Sequence, residues 1–405
     1  MTWMGASQQI RRQNTKVNVV ASNLYSMLRE DGLRCCILKG QGNALMYPNA
    51  YSRNPGDIDV WVNASREQIT EYAKKHFEIG DDIRFHHLET SLDGVPVELH
   101  FFPCTMKNPI CNARLQKWFK RNADLQCSNV VSLPDSIGEI AIPTTAFNVV
   151  YQLTHLYHHF FDEGIGMRQI IDYFLVVNDF SKNVFLDTDF SNHPVPLSKE
   201  GSTFSPSPSS SGSGDVTAPS RCSEPLRSKD GGPSKVSPDC AGWDRLGMSG
   251  ASKVSPDCAG WDRLAIEEDN SADSTTAVTS SASTAFVVVQ RELKYLGLWK
   301  FAGAVMYVLK EVLGLSEDKM IVPMDEKRGR LLLAEILDGG NFGRHFSKYG
   351  GFTHQSMGKK YFLKIWRNMH FVRYYPAEAL CEPLFRTWHF FWRLKYKKLI
   401  NQIIN

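Results

Sequence analysis

The 405-residue chain has no run of about 18 uncharged apolar residues, so nothing in it reads as a membrane-spanning helix. Its first residues, MTWMGASQQIRRQNTKVN, lack the apolar core of a secretory signal. A charge excess is missing too. The 46 Lys and Arg residues stand against 43 Asp and Glu, a formal +3 that gives no general argument for a polyanionic partner and no expectation of DNA binding. CxxC pairs are absent, and nine is an odd number of cysteines, which argues against a closed disulfide framework. These absences together predict a reduced, cytoplasmic chain, long enough for two ordinary domains or one large one with an insertion.

Helical spacing of Ile10, Val17, Val20, Leu24 and Leu28 predicts a leading helix that Asp31-Gly32 stops. A short apolar strand from Arg34 to Leu38 follows, then the Lys39-Gly40 turn, a short helix-like stretch to Tyr47 and a loop rich in Pro, Asn and Gly. Ile58 to Val62 reads as a strand, and Ser65 caps a helix to about Phe77. Two more strand-like runs, Ile83 to Glu89 and Val95 to Phe101, flank an Asp93-Gly94 hairpin signal. Helices are predicted from Pro143 through Phe161, from Met167 to Val177, from Phe286 through Leu313 and around Leu331 to Leu337.

Residues 199–285 are rich in Ser, Pro, Gly, Thr and Asp, with few large apolar side chains to offset the entropy of ordering, and read as a disordered insertion. Within it SKVSPDCAGWDRL occurs twice, at Ser234 to Leu246 and Ser252 to Leu264. Two copies are too few to stack as a solenoid. A tandem duplication in a tolerant loop is the preferred reading; a twice-presented binding motif is the alternative.

The constellation with the clearest chemistry is Lys39-Gly40, then Gly56-Asp57-Ile58-Asp59-Val60-Trp61-Val62, then Val97-Glu98-Leu99-His100. Asp-x-Asp alone commonly faces water or caps a helix. Here Asp57 and Asp59 adjoin an apolar strand, where period-two alternation turns both to one face, and Glu98 repeats the apolar-acid-apolar pattern. Three converging carboxylates suit divalent cations, and phosphoryl or nucleotidyl transfer uses two such ions about 4 Å apart to hold attacking and leaving oxygens. Lys39 and Gly40 offer a point charge and an accessible backbone for phosphate.

These motifs resemble the nucleotidyltransferase superfamily: a glycine turn and short helix, a hydrophobic-flanked Asp-x-Asp, and a third acid on a later strand. The run LKGQGNALMYPNAYSRNPGDIDVWV is similar, more narrowly, to the uncharacterised bacterial nucleotidyltransferases frequent in Bacteroides-type gut bacteria. HLYHHFFDEGIGMRQIIDYFLV, LGLWKFAGAVMYVLKEVLGL and DEKRGRLLLAEILDGGNFGRHF extend that likeness over most of the chain outside the insertion. The resemblance implies an α/β nucleotidyltransferase core, a mixed sheet with flanking helices, over residues 1–135. A mainly helical region, 136–198 and 286–405, follows and is split by the insertion.

The resemblance further implies catalytic and metal-binding roles for Asp57, Asp59 and Glu98, and nucleotide phosphate contacts for Lys39 and Gly40. Two Mg2+ ions are the expected cofactors, with Mn2+ as a substitute, and an NTP such as ATP is the expected substrate; the acceptor is open. The chain departs from the superfamily in having Lys-Gly where Gly-Ser is usual. The competing reading is therefore a catalytically inactive nucleotide-binding or partner-binding protein of the same fold, in the manner of antitoxin-like members.

Arg53 and Arg168 complete the expected nucleotide contacts, the first ahead of Asp57, the second in the segment MRQIID, where pairing with Asp172 four residues on is the plain alternative. His100 shares a strand face with Glu98, as a ligand-orienting group. His155, His158 and His159 with Asp162 lack the zinc-protease glutamate, so one histidine is expected at the cleft and the others in packing or on the surface. The Gly339 to Gly343 turn before Arg344 and His345 reads as an anion nest or a helix stop. The aromatic, basic stretch from Trp388 to Lys398 reads as an amphipathic helix packed on the domain, with weak contact to an anionic membrane surface as the alternative.

Overall fold

The computed structural model describes residues 3–186, 276–340 and 356–404. The duplicated segment and residues 341–345 of the glycine turn fall outside these. Helix α1 (Trp3–Glu30) buries Val17, Val20, Ala21, Leu24 and Leu28, the stripe that its three-and-four spacing predicts. After it come β1 (Cys35–Ile37), the single turn α2 (Gln41–Ala44) and β2 (Ile58–Val62). Helix α3 (Arg66–His76) starts at Ser65, whose hydroxyl accepts from the Gln68 N–H while the Gln68 side chain accepts from the Ser65 N–H, a full capping box.

Strands β3 (Glu78–Ile83), β4 (His87–Leu92) and β5 (Val95–His100) complete a five-stranded sheet of order β1-β2-β5-β4-β3. Only β2 and β5 run parallel; the other neighbours are antiparallel, so the sheet is mixed. Asp93 and Gly94, at φ 52° and 68°, make the tight β4–β5 turn that an Asp-Gly pair favours. The expected single strand from Ile83 to Glu89 is instead the end of β3, a break, and the start of β4. β3, with sequence EIGDDI, has no apolar alternation to reveal it.

Alternation along β2 and β5 divides the interior. Ile58, Val60, Val62, Val97 and Leu99 face one core with α1 and with Ile69 and Ala73 of α3. Trp61 faces a second, helical core, where it lies 6.0 Å from the ring of Phe119 and 6.1 Å from that of Phe147. Asp59, Glu98 and His100 share the Trp61 side, so the acids look towards the helices.

The helical layer begins with α4 (Pro109–Ser128), capped by the Asn108 side chain with proline in the first turn, and a small hairpin of β6 (Val130–Ser132) and β7 (Glu139–Ala141). Sequence periodicity revealed neither. Leu133, Ile140 and Ala141 join the first core while Leu115, Trp118 and Phe119 of α4 join the second, so the two cores interlock around residue 135. Next come α5 (Thr145–Asp162), α6 (Met167–Leu186), α7 (Thr276–Tyr295), α8 (Trp299–Leu313), α9 (Glu326–Gly339), α10 (Met357–Met369) and α11 (Pro376–Ile404).

Helix α7 takes in residues 276–285, which composition alone assigned to the insertion. Its run of Thr, Ser and Ala carries few large apolar residues by which to read a helix, and Ala285 is buried in the second core. Helix α11 packs its aromatic face on the sheet domain: Trp388 and Trp392 lie 5.0 and 5.4 Å from the ring of Phe85. Phe390, Phe391 and Leu394 on its other side are exposed.

Gly329 in α9 is a packing glycine, since an added Cβ would meet the Tyr307 ring of α8 at 2.3 Å. Gly329→Ala is expected to lower the free energy of unfolding by about 1–3 kcal/mol through overpacking. Equilibrium urea denaturation measures this; a stabilised variant would contradict the close α8–α9 contact.

Candidate functional site

Register places the acids. In the parallel β2–β5 pair, Asp59 stands opposite Glu98 and Trp61 opposite His100; in the antiparallel β4–β5 pair, Glu89 stands opposite Glu98 and His87 opposite His100. One sheet face thus carries Asp59, Glu98 and His100 side by side. The β1 end delivers Lys39 to the same place, because the Leu38 N–H donates to the Asp59 carbonyl at 2.9 Å and the chain turns immediately afterwards. Gly40 makes that turn at φ 58° and ψ −105°, a conformation open to glycine and strained for other residues.

The side chains form one network. Lys39 Nζ lies 3.0 Å from Asp59 Oδ1 and donates to His155 Nε2 of α5 at 2.9 Å. His100 Nε2 bridges Asp59 Oδ1 at 3.1 Å and Glu98 Oε2 at 3.2 Å. These residues line a cavity of about 420 Å³ between the sheet and α5 and α6. Asp57, just ahead of β2, lines the cavity as an exposed carboxylate, whereas Asp59 is 3 % exposed.

Burial alone would raise the Asp59 pKa, but Lys39 and the His100 hydrogen bond outweigh it and hold the carboxyl below its ordinary value. Burial carries Glu98 the other way; the His100 bond opposes the rise only in part, and the Asp59 charge adds to it. His100 is pushed up to about 9: burial opposes the imidazolium, but hydrogen bonds to Asp59 and Glu98 outweigh that. Burial would also depress Lys39, yet Asp59, Asp57 and Glu98 raise it. Around this charged centre burial keeps His86, His87, His155 and His159 below their ordinary pKa, hence neutral.

The expected site residues separate into groups. Asp57, Asp59, Glu98, Lys39, Gly40, Arg53 and Arg168 all line the one cavity. Donor atoms of Asp59, Glu98 and His100 lie within 4.8 Å of one another and could hold a metal ion; Asp57 is at the rim, outside that cluster. Helix α2 is a single buried turn, so it adds little dipole to the phosphate role expected of Lys39-Gly40.

Arg53 is not a free phosphate ligand. Its guanidinium is buried against Asp172 of α6, with Nε 3.0 Å from Oδ1 and Nη2 2.9 Å from Oδ2, and Tyr47 donates to the same carboxylate at 2.7 Å. Asp172 therefore pairs with Arg53, not with Arg168, which leaves Arg168 reaching across the cavity rim to the Asn54 carbonyl at 3.5 Å. His155, His158 and His159 all line the cavity, where sequence reasoning expected one of them. His158 is fixed by Asp162 at 2.8 Å and the Thr105 carbonyl at 3.0 Å. His86, His87 and Arg84 were missed; the hairpin signal at Asp93-Gly94, carried through its register to the His87–His100 pair, contained the information for His87.

Two predictions follow from these charges. A folded-state pKa above the unfolded value of about 6.5 stabilises the fold fully below that pH and loses its contribution as pH rises through about 9. The stability difference between wild type and His100→Gln is thus expected to be largest below about pH 6.5 and to shrink towards alkaline pH; thermal melts across that range would show a flat difference if His100 were neutral. Asp172→Ala strands the buried Arg53 charge and is expected to lower stability by about 3–5 kcal/mol, against less than about 1 kcal/mol for Arg168→Ala, both read by chemical denaturation.

Comparison with known proteins gives a family likeness for this part of the chain. No curated protein matches. A solved structure, an antigenic nucleotidyltransferase-like protein from Paracoccidioides brasiliensis, is similar at 16% identity over 40% of this chain and 75% of that one, with a TM-score of 0.27. Residues 1–190, which hold every residue of the cavity described above, match the family described as uncharacterised nucleotidyltransferase.

Proposed function

We propose that the cavity is the active site of a metal-dependent nucleotidyltransferase that moves a nucleoside monophosphate from an NTP to an acceptor hydroxyl and releases pyrophosphate. The observation that carries this reading is the register of β2 with β5, which sets Asp59 against Glu98 on the cavity floor with Lys39 beside them. Within that cluster Asp59 and Glu98 offer carboxylate oxygens, the donor type that fits Mg2+ or Mn2+. Such an ion, when bound, supplies Lewis-acid charge to the phosphoryl oxygens.

The chain's own groups divide the remaining work. Asp59 and Glu98 are the inner metal-binding carboxylates, and Asp57, at the rim, supplies a third from the side open to substrate. Glu98, whose proton affinity burial raises, is suited to take the proton of the acceptor hydroxyl. Lys39 turns from Asp59 to the triphosphate, and Gly40 lets the phosphates approach the backbone. Arg168 extends over the rim to the same anion. Arg53 acts at one remove, by fixing the loop that ends at Asp57.

Incubation with Mg2+ or Mn2+ and each labelled NTP, ATP included, in the presence of cell extract is expected to release pyrophosphate and pass label to an acceptor. Asp57→Ala with Asp59→Ala, and separately Glu98→Gln, should lower that rate by about a hundredfold or more, and Lys39→Ala should raise KM for the NTP. Absence of transfer with every NTP, together with nucleotide binding unchanged in the double variant, would refute the enzyme and leave the binding protein.

A further inference from the structure

Six histidines line the cavity, and three of them gather on the sheet. His86 precedes β4, His87 opens it, and His100 ends β5 directly across from His87. One donor nitrogen from each lies within 4.8 Å of the other two. Their ring centroids are 4.4 Å apart for His86 and His87, 5.0 Å for His87 and His100, and 5.6 Å for His86 and His100.

This cluster is poorly satisfied by protein. Both ring nitrogens of His87 and Nδ1 of His100 are buried and lack a hydrogen-bond partner among the described residues, and the two side chains are only 3 % and 2 % exposed. His87 Nδ1 lies 3.1 Å from Glu98 Oε2, close enough for an ion pair but without hydrogen-bond geometry. Buried polar atoms are normally paired, so three such nitrogens in one small space call for a partner that supplies what the chain does not. His100 is also braced as a metal-binding histidine commonly is, its Nε2 set against the carboxylates of Asp59 and Glu98 while Nδ1 is left for a ligand.

We propose that His86, His87 and His100 form a nitrogen-donor site for a first-row transition-metal dication such as Zn2+ or Co2+. Imidazoles select these ions over Mg2+, which prefers oxygen, so the site differs in chemistry from the carboxylate position beside it. A cation on His100 Nδ1 keeps the His100 Nε2 bonds to Asp59 and Glu98. The proposal goes beyond nucleotidyl transfer and does not require it.

The test uses the full chain, stripped with a chelator and titrated with Co2+ in the absence of nucleotide. The wild type is expected to develop the visible absorption of imidazole-bound Co2+, to lose it when Zn2+ is added, and to keep it in excess Mg2+. His86→Ala, at a half-buried position, and His87→Asn should each weaken Co2+ binding by about tenfold or more, with circular dichroism confirming that the metal-free variants are folded. No Co2+ spectrum in the wild type, displacement by Mg2+, or an unchanged affinity in folded His86→Ala would each overturn the site. Because the readout involves neither NTP nor transfer, failure of the enzyme reading and failure of this one are separate results.

Discussion

The pairing of Asp59 with Glu98 across β2 and β5 is the constraint on which the rest of the site depends. Like charges directly opposite on neighbouring strands repel, and burial strengthens the repulsion because little water screens it. The fold answers with two cations from different elements. Lys39 arrives from the end of β1 against Asp59, and His100, two residues along β5 from Glu98, bridges both carboxylates. Each pKa direction in the cavity then has its reason. Asp59 goes down because both cations touch it; Glu98 goes up because burial, helped by the Asp59 charge, outweighs its bond to His100; and the outer imidazoles stay neutral because they are buried near existing positive charge.

The helices hold the sheet's chemistry in place from outside. The long stretch between α2 and β2 has little regular structure, yet it ends on Asp57, so its course must be fixed. Asn14 of α1 donates to the carbonyls of Tyr51 and Arg53 at 3.1 and 2.7 Å, and the Arg53–Asp172 pair with Tyr47 ties the same stretch to α6. Asn43 and Gln152 exchange reciprocal amide hydrogen bonds at 3.0 and 2.6 Å, which fasten α2 to α5. Polar groups buried in pairs of this kind contribute geometry more than stability, since removing both partners is often nearly neutral and removing one is not.

The parts of this arrangement visible in sequence are those governed by local rules. Ser65 with Gln68, Asp93-Gly94, and the apolar positions flanking Asp59 and Glu98 each carry their signal within a few residues, so α3, the β4–β5 turn and the two acid-bearing strands were readable. The β3 segment was not, because its Gly and Asp residues give no period. The partner of Asp172 was not readable either: helical spacing offered Arg168, while the structure brings Arg53 from 119 positions away. Period two placed Asp57 on the same side as Asp59, but it could not say that one would stand at the rim and the other be buried.

The Lys39-Gly40 turn stands where the nucleotidyltransferase pattern that this chain resembles has Gly-Ser, and the geometry gives the lysine a physical meaning. A serine hydroxyl could hydrogen-bond a phosphate but could not neutralise Asp59. With lysine, the chain carries its own counter-ion, 3.0 Å from the carboxylate and steadied by the neutral His155, so Asp59 can remain buried whether or not another cation is at hand. The same contact sets a competition. On the proposed function, a divalent ion held by Asp59 would repel the ammonium of Lys39 at close range, and the ammonium's escape would be outward, to an anion in the cavity. Metal and triphosphate would then favour each other's arrival through one side chain, Lys39 leaving Asp59 for the anion.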